Sequence, residues 1–325
     1  MPMSAAALEA VELARSYGAR TALAGLTFSV DSGEILGLLG PNGAGKTTTI
    51  RLLTTMLRPS SGTFSVAGVP STRPVDIRRV VGALPESAGY PEHMTGLEYL
   101  RYHGRLFGLS RGDASRTSER LLNEVGLAER GLSRIATYSR GMRQRLGIAR
   151  ALVNNPAVVF LDEPTLGLDP AGQRQVLGIV RDIAQRRGAT VVLSTHTLPD
   201  VEEVCTKVLI LARGRVLSAG TVDEVTRVAA APGTALLRVP TDGIHRAMGA
   251  LTAVPHLTVE ATEGHPDVLR LSLRERPDDH PDSASTALNA ALRAVLLADV
   301  PVRSFEIEGS RLSDAFLSMT RRSER

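Results

Sequence analysis

The sequence is poor in three informative residue types: it contains one cysteine, no tryptophan and only two lysines, Lys46 and Lys207. A single cysteine, Cys205, excludes an internal disulfide, which is usual for proteins of a reducing compartment. We interpret Cys205 as a structural, unreactive residue. Because nearly all of the positive charge is arginine, the lysine at position 46 requires a chemical explanation.

Long apolar runs are also absent. No stretch approaches the roughly 18 uninterrupted apolar residues that a membrane-spanning helix requires. Residues 1–7 have neither a basic start nor a long apolar stretch, so no secretory signal is predicted. We therefore expect a protein that does not cross the bilayer itself and remains in the cytoplasm.

Charge of one sign is not in large excess. The formal net charge is +4, and no dense basic stretch of the kind that grips a nucleic-acid backbone is present. Nucleic acid is therefore not an expected partner. The 325 residues, of which 43% are apolar and 22% charged, are typical of a globular protein and long enough for two domains.

Four short apolar runs predict strands buried on both faces, as in a parallel sheet. They span residues 35–39, 158–161, 191–193 and 208–211. Between the second and third runs, Asp169 and Pro170 have the residue types of a helix N-cap and first turn, and apolar residues follow at helical spacing from 176 to 184. Strand, helix and strand in this order predict an α/β fold.

Two further regions differ from this pattern. Leucines at helical spacing predict a helical insertion over residues 96–131. Residues 230–233 are interpreted as a linker, beyond which a half-exposed strand near 269–273, a helix at 284–297 and a strand near 302–307 predict a small α+β domain. We therefore predict a main domain of residues 1–230, with a helical subdomain at about 87–155, and an accessory domain of residues 231–325.

A glycine-rich segment, residues 40–47, follows the first apolar strand and precedes a helix-like segment. Its sequence Gly-Pro-Asn-Gly-Ala-Gly-Lys-Thr matches the phosphate-binding P-loop in residue types and in context. Glycines let backbone N–H groups turn toward a phosphate, and the following helix N-terminus adds the positive end of its dipole. Lys46 would place a compact charge against the outer phosphates, where a planar guanidinium would not fit. Thr47 would supply a hydroxyl for Mg²⁺.

The apolar run at 158–161 ends in two acids, Asp162 and Glu163. Strand ends face the ligand in sheets of this class. Asp162 can therefore hold Mg²⁺ directly or through water, and Glu163 can polarise an attacking water. A solvated acidic loop after a core strand is the alternative interpretation, which the P-loop motif disfavours.

A third motif, Tyr-Ser-Arg-Gly-Met-Arg-Gln-Arg at residues 138–145, precedes a helical segment. The order of the P-loop, this motif, the Asp-Glu strand, Gly-Leu-Asp at 167–169 and Ser-Thr-His at 194–196 resembles the ATP-binding cassette (ABC) family over about residues 8–225. Many P-loop proteins share the first and third elements, whereas the segment from Ser139 and the histidine are peculiar to this family. The resemblance implies a P-loop NTPase core of the ABC type that binds ATP and Mg²⁺ and hydrolyses ATP.

The resemblance also implies roles for the matching residues. Ser139 and Gly141 would contact the γ-phosphate of ATP held by another protomer, with Asp169 at the same contact, so a nucleotide-sandwiching dimer is expected. Tyr17 would stack on adenine, although a lone tyrosine in a loop is as often a packing residue. The complete set of expected nucleotide-binding residues is Tyr17, Gly40, Pro41, Asn42, Gly43, Ala44, Gly45, Lys46, Thr47, Thr48, Ser139, Arg140, Gly141, Met142 and Asp169.

Catalysis and metal binding are assigned in the same way. The resemblance implies that Glu163, His196 and Lys46 are catalytic, and that His196 reaches the γ-phosphate and helps to position water. A lone histidine is otherwise more often structural. Thr47, Glu86 and Asp162 are the expected Mg²⁺ ligands.

Two regions depart from the family's common form. Glu86 stands where the wider family has glutamine, so a carboxylate replaces an amide ligand. Arg140 and Met142 stand where the common form has glycine and glutamine. Both variants are similar to a bacterial subgroup that exports drugs, antibiotics and lipids, and residues 312–317 resemble the end of that subgroup's accessory C-terminal domain.

The sequence therefore predicts the ATPase subunit of a bacterial exporter at the cytoplasmic face of the cell membrane. It is expected to pair as a homodimer or with a homologous subunit, and to work with separate integral membrane permease subunits. Two alternatives remain open: a soluble ABC-type ATPase that acts on ribosomes or nucleic acid, and a non-transporting ATPase that sequesters a drug. The first usually has two cassettes in one chain or long coiled-coil insertions, and this sequence shows one P-loop and a short helical insertion.

Overall fold

The structure is a computed structural model that describes residues 6–87, 89–229, 234–262, 264–273 and 281–307, together with Leu312, Ser313, Phe316 and Met319. The chain forms two compact units, Met1–Val222 and Asp223–Arg325. The boundary predicted from the sequence, between residues 230 and 231, falls later than this division. The predicted linker at 230–233 lies outside the described residues, as do Asp314, Ala315 and Leu317 of the segment 312–317.

The first unit contains two sheets and, among its described residues, seven α-helices that lie wholly within it. Its strands are β1 (Ala6–Tyr17), β2 (Arg20–Asp31), β3 (Ile35–Leu39), β4 (Ser61–Val66), β5 (Val69–Pro70), β6 (Val81–Leu84), β7 (Val158–Asp162), β8 (Thr190–Ser194), β9 (Lys207–Ala212) and β10 (Arg215–Thr221). Its helices are α1 (Lys46–Leu53), α2 (Pro74–Val80), α3 (Gly96–Leu106), α4 (Arg111–Glu124), α5 (Arg140–Ala151), α6 (Pro170–Arg187) and α7 (Leu198–Val204). An eighth helix, α8 (Val222–Ala229), begins at the last residue of this unit.

The six-stranded sheet has the order β10-β9-β3-β8-β7-β6, and all of its pairs are parallel except β9 with β10. The four apolar runs of the sequence lie in β3, β7, β8 and β9, which confirms the prediction of buried parallel strands. Alternate residues of β7 enter different cores: Val159 and Leu161 pack with the helical side, whereas Val158 and Phe160 pack toward α1 and the other sheet. Both faces of the sheet are therefore covered.

The second sheet is antiparallel, with the order β2-β1-β4-β5, and was not predicted from the sequence. The pairing of β1 with β2 shifts register at several points, and Glu12 in β1 has a φ of 48°. Such bulges interrupt the alternation of buried and exposed residues that marks a strand in a sequence.

The predicted helical insertion is present as α3, α4 and α5. Helix α3 begins with a capping box, in which Thr95 accepts from the Glu98 backbone and the Glu98 carboxylate accepts from the Thr95 N–H. Its buried face, which includes Tyr99 and Leu100, packs in the same core as Leu121 of α4 and Leu146 of α5.

The second unit has the strands β11 (Thr234–Arg238), β12 (Leu257–Thr262), β13 (His265–Leu273) and β14 (Ser304–Ile307), and the helices α9 (Ile244–Thr252) and α10 (Pro281–Leu297). The sheet order is β12-β13-β11-β14 and all of its pairs are antiparallel. With the chain order β-α-β-β-α-β this is a ferredoxin-like arrangement, which agrees with the predicted small α+β domain. Leu237, Leu271, Leu251, Leu288 and Val295 form its core.

Membrane-spanning helices were not expected. Among the described residues, no helix combines the length and the apolar character that crossing a bilayer would require.

Candidate nucleotide-binding site

The P-loop connects β3 to α1, and its backbone conformation depends on glycine at two positions. Gly45 has a φ of 111°, and a Cβ there would lie 2.5 Å from the Leu23 side chain. A Cβ at Gly40 would lie 2.4 Å from the Leu211 carbonyl oxygen, because the loop passes directly over β9. Larger residues would therefore displace the loop that precedes Lys46.

Lys46 begins α1 and its side chain is only 8% exposed. Its Nζ donates to the Gly40 carbonyl at 2.7 Å and lies 4.0 Å from Oε1 of Glu163. Burial lowers the pKa of Lys46, and the nearby carboxylates of Glu163, Asp162 and Glu86 oppose that effect. The ammonium is thus held inside the loop, close to the acids that follow β7 and β6.

Asp162 is buried at the end of β7 and is held by two hydroxyls. Its Oδ1 accepts from Ser194 Oγ at 2.5 Å and from Thr47 Oγ1 at 3.3 Å. Ser194 is the register partner of Asp162 in the β7–β8 pair, and it also pairs with Leu38 in β3. The sheet register therefore brings the Asp162 carboxylate and the Thr47 hydroxyl together.

Glu163 is the first residue after β7 and has a φ of 51°, in the left-handed region that non-glycine residues rarely adopt. Its N–H lies 3.1 Å from both the backbone oxygen and the side-chain oxygen of Ser194. Its Oε2 lies 2.9 Å from Nδ1 of His196. The same hydroxyl of Ser194 thus contacts Asp162 and stabilises the turn that aims Glu163.

The Glu163 side chain is 10% exposed, whereas that of His196 is 52% exposed. Burial raises the pKa of Glu163 above its ordinary value of 4.5, and His196 and Lys46 oppose this shift. A partly desolvated carboxylate with a raised pKa and a histidine contact is typical of a general base.

A cavity of about 1070 Å³ is lined by Lys46, Thr47, Glu163 and His196, among others. Of the residues predicted from the sequence, the cavity wall includes Tyr17, Asn42, Gly43, Ala44, Gly45, Lys46, Thr47, Thr48, Glu86, Glu163 and His196. Tyr17 lies at the cavity, and the Arg15 guanidinium carbon lies 4.8 Å from the centroid of its ring. A cavity of this size, with a glycine loop and a lysine at its base, fits a nucleoside triphosphate, and the hydroxyl and carboxylates of Thr47, Asp162 and Glu86 are donors that suit Mg²⁺.

A different cleft of about 390 Å³ is lined by Ser139, Arg140, Gly141, Asp169 and Gly167 among others. Four predicted residues line neither space: Gly40, Pro41, Asp162 and Met142. Ser139 caps α5 by accepting from the Met142 N–H at 3.2 Å, and Asp169 caps α6 by accepting from the Gly172 N–H at 3.2 Å. The Met142 side chain packs against the apolar core. The cavity and the cleft are adjacent along the chain, because Leu166 lines the cavity and the next residue, Gly167, lines the cleft.

Several residues at the cavity were not identified from the sequence. Ser194 was noted only as part of a motif, although it contacts both acids. Arg20, Arg51 and Arg213 line the cavity wall. Arg213 lies at the cavity because the neighbouring Gly214 donates its N–H to the Ala44 carbonyl. No local sequence pattern indicates this tertiary contact.

Comparison with known proteins agrees with this geometry. The ABC transporter family model matches residues 23–166. The daunorubicin/doxorubicin resistance ATP-binding protein DrrA of Streptomyces peucetius is 37% identical over 97% of this chain and 92% of its own length. The linearmycin resistance ATP-binding protein LnrL of Bacillus subtilis is 30% identical over 98% of this chain and 99% of its own length.

Solved structures show the same cassette fold. The ATP-binding subunit of an ABC transporter is 36% identical with a TM-score of 0.61, over 68% of this chain and 92% of that chain. The ATP-binding cassette MJ0796, solved as a dimer in a post-hydrolysis state with ADP and Pi, has a TM-score of 0.61 at 21% identity, over 66% of this chain and 98% of that chain.

The pKa shifts predict the pH dependence of nucleotide hydrolysis at this site. A general base must be ionised to accept a proton, so with Glu163 in that role kcat/KM should fall as the pH drops through a value above 4.5. A lysine must be protonated to attract phosphate, so with Lys46 in that role kcat/KM should also fall as the pH rises through a value below 10.5. Initial rates measured across pH, with circular dichroism as the control for folding, test this. A rate that stays constant down to pH 4.5 would contradict the role of Glu163.

Proposed function

The chain belongs to the ATP-binding proteins of ABC transporters, and on that premise we propose that it powers the export of a drug, antibiotic or lipid-like molecule through separate membrane subunits. The observation that carries the proposal is the cavity in which Lys46, Glu163 and His196 converge, on a chain similar over nearly its full length to two drug-resistance ATP-binding proteins. No feature of the site favours an ATPase that acts on ribosomes or nucleic acid. Nor does any feature of the site favour an ATPase that sequesters a drug.

Within the cavity, ATP is held by Tyr17 and by the loop residues from Gly40 to Thr48. Thr47, Asp162 and Glu86 would hold Mg²⁺, which would supply a Lewis acid for the outer phosphates. Lys46 neutralises phosphate charge from inside the loop. Glu163 accepts the proton of the attacking water, and His196, 2.9 Å away, holds the carboxylate in position.

The catalytic unit is a dimer, either of two copies of this chain or of this chain with a homologous subunit. The residues Ser139, Arg140, Gly141, Met142 and Asp169 lie in or beside the cleft and do not line the cavity of their own protomer. They would complete the site only from a second protomer. The MJ0796 cassette, which has a similar fold, was solved as a dimer, and this supports the proposed arrangement.

The variant Glu163→Gln tests this mechanism, because it keeps the shape of the side chain but removes the base. We expect it to bind ATP, to accumulate as a closed dimer and to lose about 10²–10⁴-fold in turnover. Lys46→Ala should lose nucleotide binding or turnover. The measurements are phosphate release and ATP-dependent dimerisation in sedimentation velocity.

Glu129→Gln is the matched control, because Glu129 is exposed and outside the cavity. Its turnover should equal that of the wild type. Full turnover by Glu163→Gln would count against the proposed mechanism.

The membrane subunits would dock in a groove of about 430 Å³ between the core and the helical insertion. Met56 (66% exposed) and Pro85 line it from the core, and Phe107 (47% exposed) and His103 line it from α3 and the residue that follows that helix. Pro85 immediately precedes Glu86 of the nucleotide cavity, so a change at the nucleotide can reach the groove through adjacent residues. Docking there would hold the protein at the cytoplasmic face of the membrane.

Phe107→Asp tests the groove, because a charge on its apolar wall should prevent docking. We expect co-purification with the membrane subunits and export to be lost, while ATP-driven dimerisation of the purified chain is unchanged. Leu132→Asp, at an exposed leucine outside the groove, is the control. Export by Phe107→Asp at the wild-type level would contradict docking. Export that persists after deletion of the membrane-subunit genes would favour sequestration over transport.

The second unit would stabilise the dimer or regulate it. Among the described residues, it has an apolar core of its own. A chain truncated after residue 230 should show weaker dimerisation at equal ATP, or altered transport at equal expression. Unchanged dimerisation, expression and transport would overturn this role.

A further inference from the structure

A buried hydrogen bond joins the two loops that carry Glu163 and His196. Thr165 lies two residues after Glu163, and Asp200 lies four residues after His196. The Thr165 hydroxyl donates to Oδ2 of Asp200 at 2.6 Å, and the two residues are only 2% and 4% exposed. Neither residue lines the nucleotide cavity, so this contact lies behind the cavity wall.

This hydrogen bond closes the two loops at their far ends. At the sheet edge, the Glu163 N–H lies 3.1 Å from the backbone oxygen and from the side-chain oxygen of Ser194. From there one segment passes to Thr165, and the other passes through His196 to Asp200. The 2.9 Å contact between Glu163 and His196 therefore lies within a ring that is closed both at the sheet edge and behind the cavity.

Asp200 belongs to a helix that is fixed to the core. It lies in the first turn of α7, and Val201 and Val204 of the same helix are buried. A Cβ at Gly37 would lie 3.0 Å from the Val201 side chain, because α7 packs directly against β3. Since β3 leads into the P-loop, the Asp200 carboxylate holds Thr165 in a fixed relation to the strand from which that loop begins.

The turn at Glu163 needs such support because its backbone conformation is unfavourable. Glu163 has a φ of 51°, and conformations of this kind persist only where the surrounding structure enforces them. Thr165 belongs to the same turn, since the Leu166 N–H donates to the Glu163 carbonyl and the Leu168 N–H donates to the Thr165 carbonyl, both at 3.2 Å. Loss of the Thr165 hydroxyl would allow this turn to relax and Glu163 to move.

The Asp200 carboxylate also depends on this hydrogen bond for its own stability. Burial raises the pKa of Asp200, the Thr165 hydrogen bond and His196 oppose that shift, and Glu203 adds to it. A buried acceptor that loses its donor destabilises the folded protein. Removal of the Thr165 hydroxyl therefore has two consequences, a freer loop and a less stable fold, which require different variants to separate.

We propose that Asp200 and Thr165 are positioning residues for ATP hydrolysis, whose hydrogen bond holds Glu163 against His196 in the orientation that accepts a proton from water. This inference rests on the proposed roles of Glu163 and His196. Misplacement of a reacting group by about 1 Å can cost about a hundredfold in rate. A contact that makes no direct interaction with the nucleotide can therefore set kcat.

Thr165→Val tests the hydrogen bond, because valine keeps the shape of threonine and lacks the hydroxyl. We expect kcat to fall about tenfold to hundredfold while KM for ATP stays unchanged. Thr165→Ser keeps a donor and Asp200→Asn keeps an acceptor, so both should retain most of the wild-type kcat. The measurement is phosphate release at saturating ATP, at protein concentrations where sedimentation velocity shows the dimer.

Thr190→Val is the matched control for loss of a buried threonine hydroxyl. Thr190 is 1% exposed, accepts from the Gly33 N–H at 2.9 Å, and begins β8 at the end opposite Ser194. Its substitution should lower the melting temperature and leave kcat unchanged. If Thr165→Val likewise lowers only the melting temperature, the proposal is wrong.

The double variant Thr165→Val/Asp200→Leu separates catalysis from stability. With both polar partners replaced by apolar side chains, no member of the pair is left unsatisfied, so the melting temperature should recover relative to Thr165→Val. The value of kcat should stay low, because the two loops are still not joined. Recovery of kcat together with the melting temperature would overturn the positioning role.

The same substitution in a His196→Ala background shows whether the hydrogen bond acts through the contact between Glu163 and His196. Thr165→Val should lower kcat by a smaller factor there than in the wild type, because the contact it maintains is already absent. Equal factors would overturn the positioning role alone. A wild type that does not hydrolyse ATP with its membrane subunits present would overturn the proposed function, and this inference with it.

Discussion

The hydroxyl of Ser194 is the contact on which the arrangement of the candidate site depends. It lies 2.5 Å from Asp162 and 3.1 Å from the Glu163 N–H, so one oxygen orients the expected metal ligand and the turn that carries the expected base. That oxygen is in place because β8 pairs with β7 and β3 in a single register. A shift of one residue would turn these side chains to the opposite face of the sheet and separate them. The buried apolar residues on both faces oppose such a shift, which links the packing of the core to the chemistry at its edge.

The ionisation of Lys46 and that of Glu163 depend on each other, because both side chains are largely removed from water. Lys46 and Glu163 are each about a tenth exposed, and burial disfavours the charged form of both. The charge of each residue opposes the shift that burial causes in the pKa of the other, so each helps to keep the other ionised. The consequence is a site whose electrostatics are organised before a nucleotide enters, which is the condition for stabilising charge that develops during phosphoryl transfer.

The motif residues are divided between a cavity and a cleft, and this division is the basis of the proposed dimer. The residues that hold phosphate lie on the core, and those that begin α5 lie on the helical insertion. The segment from Leu166 to Asp169 connects the two regions. In the proposed dimer, nucleotide binding would be coupled to association, because the groups that complete the site would belong to a second molecule.

Much of this protein was determined by the sequence alone. The four apolar runs predicted the parallel strands. The resemblance carried by the P-loop, the Asp-Glu pair and the later histidine implied a shared site, and the structure places Lys46, Glu163 and His196 around one cavity, since the ends of parallel strands lie at one edge of a sheet. The antiparallel sheet was not predicted, since bulges such as that at Glu12 interrupt its alternation. Nor could local pattern identify Ser194 as the contact shared by both acids, place Arg213 at the cavity or show that Thr165 donates to Asp200. These relations join residues far apart in the chain, and they exist only after the strands have paired and the helices have packed, so tertiary structure alone decided them.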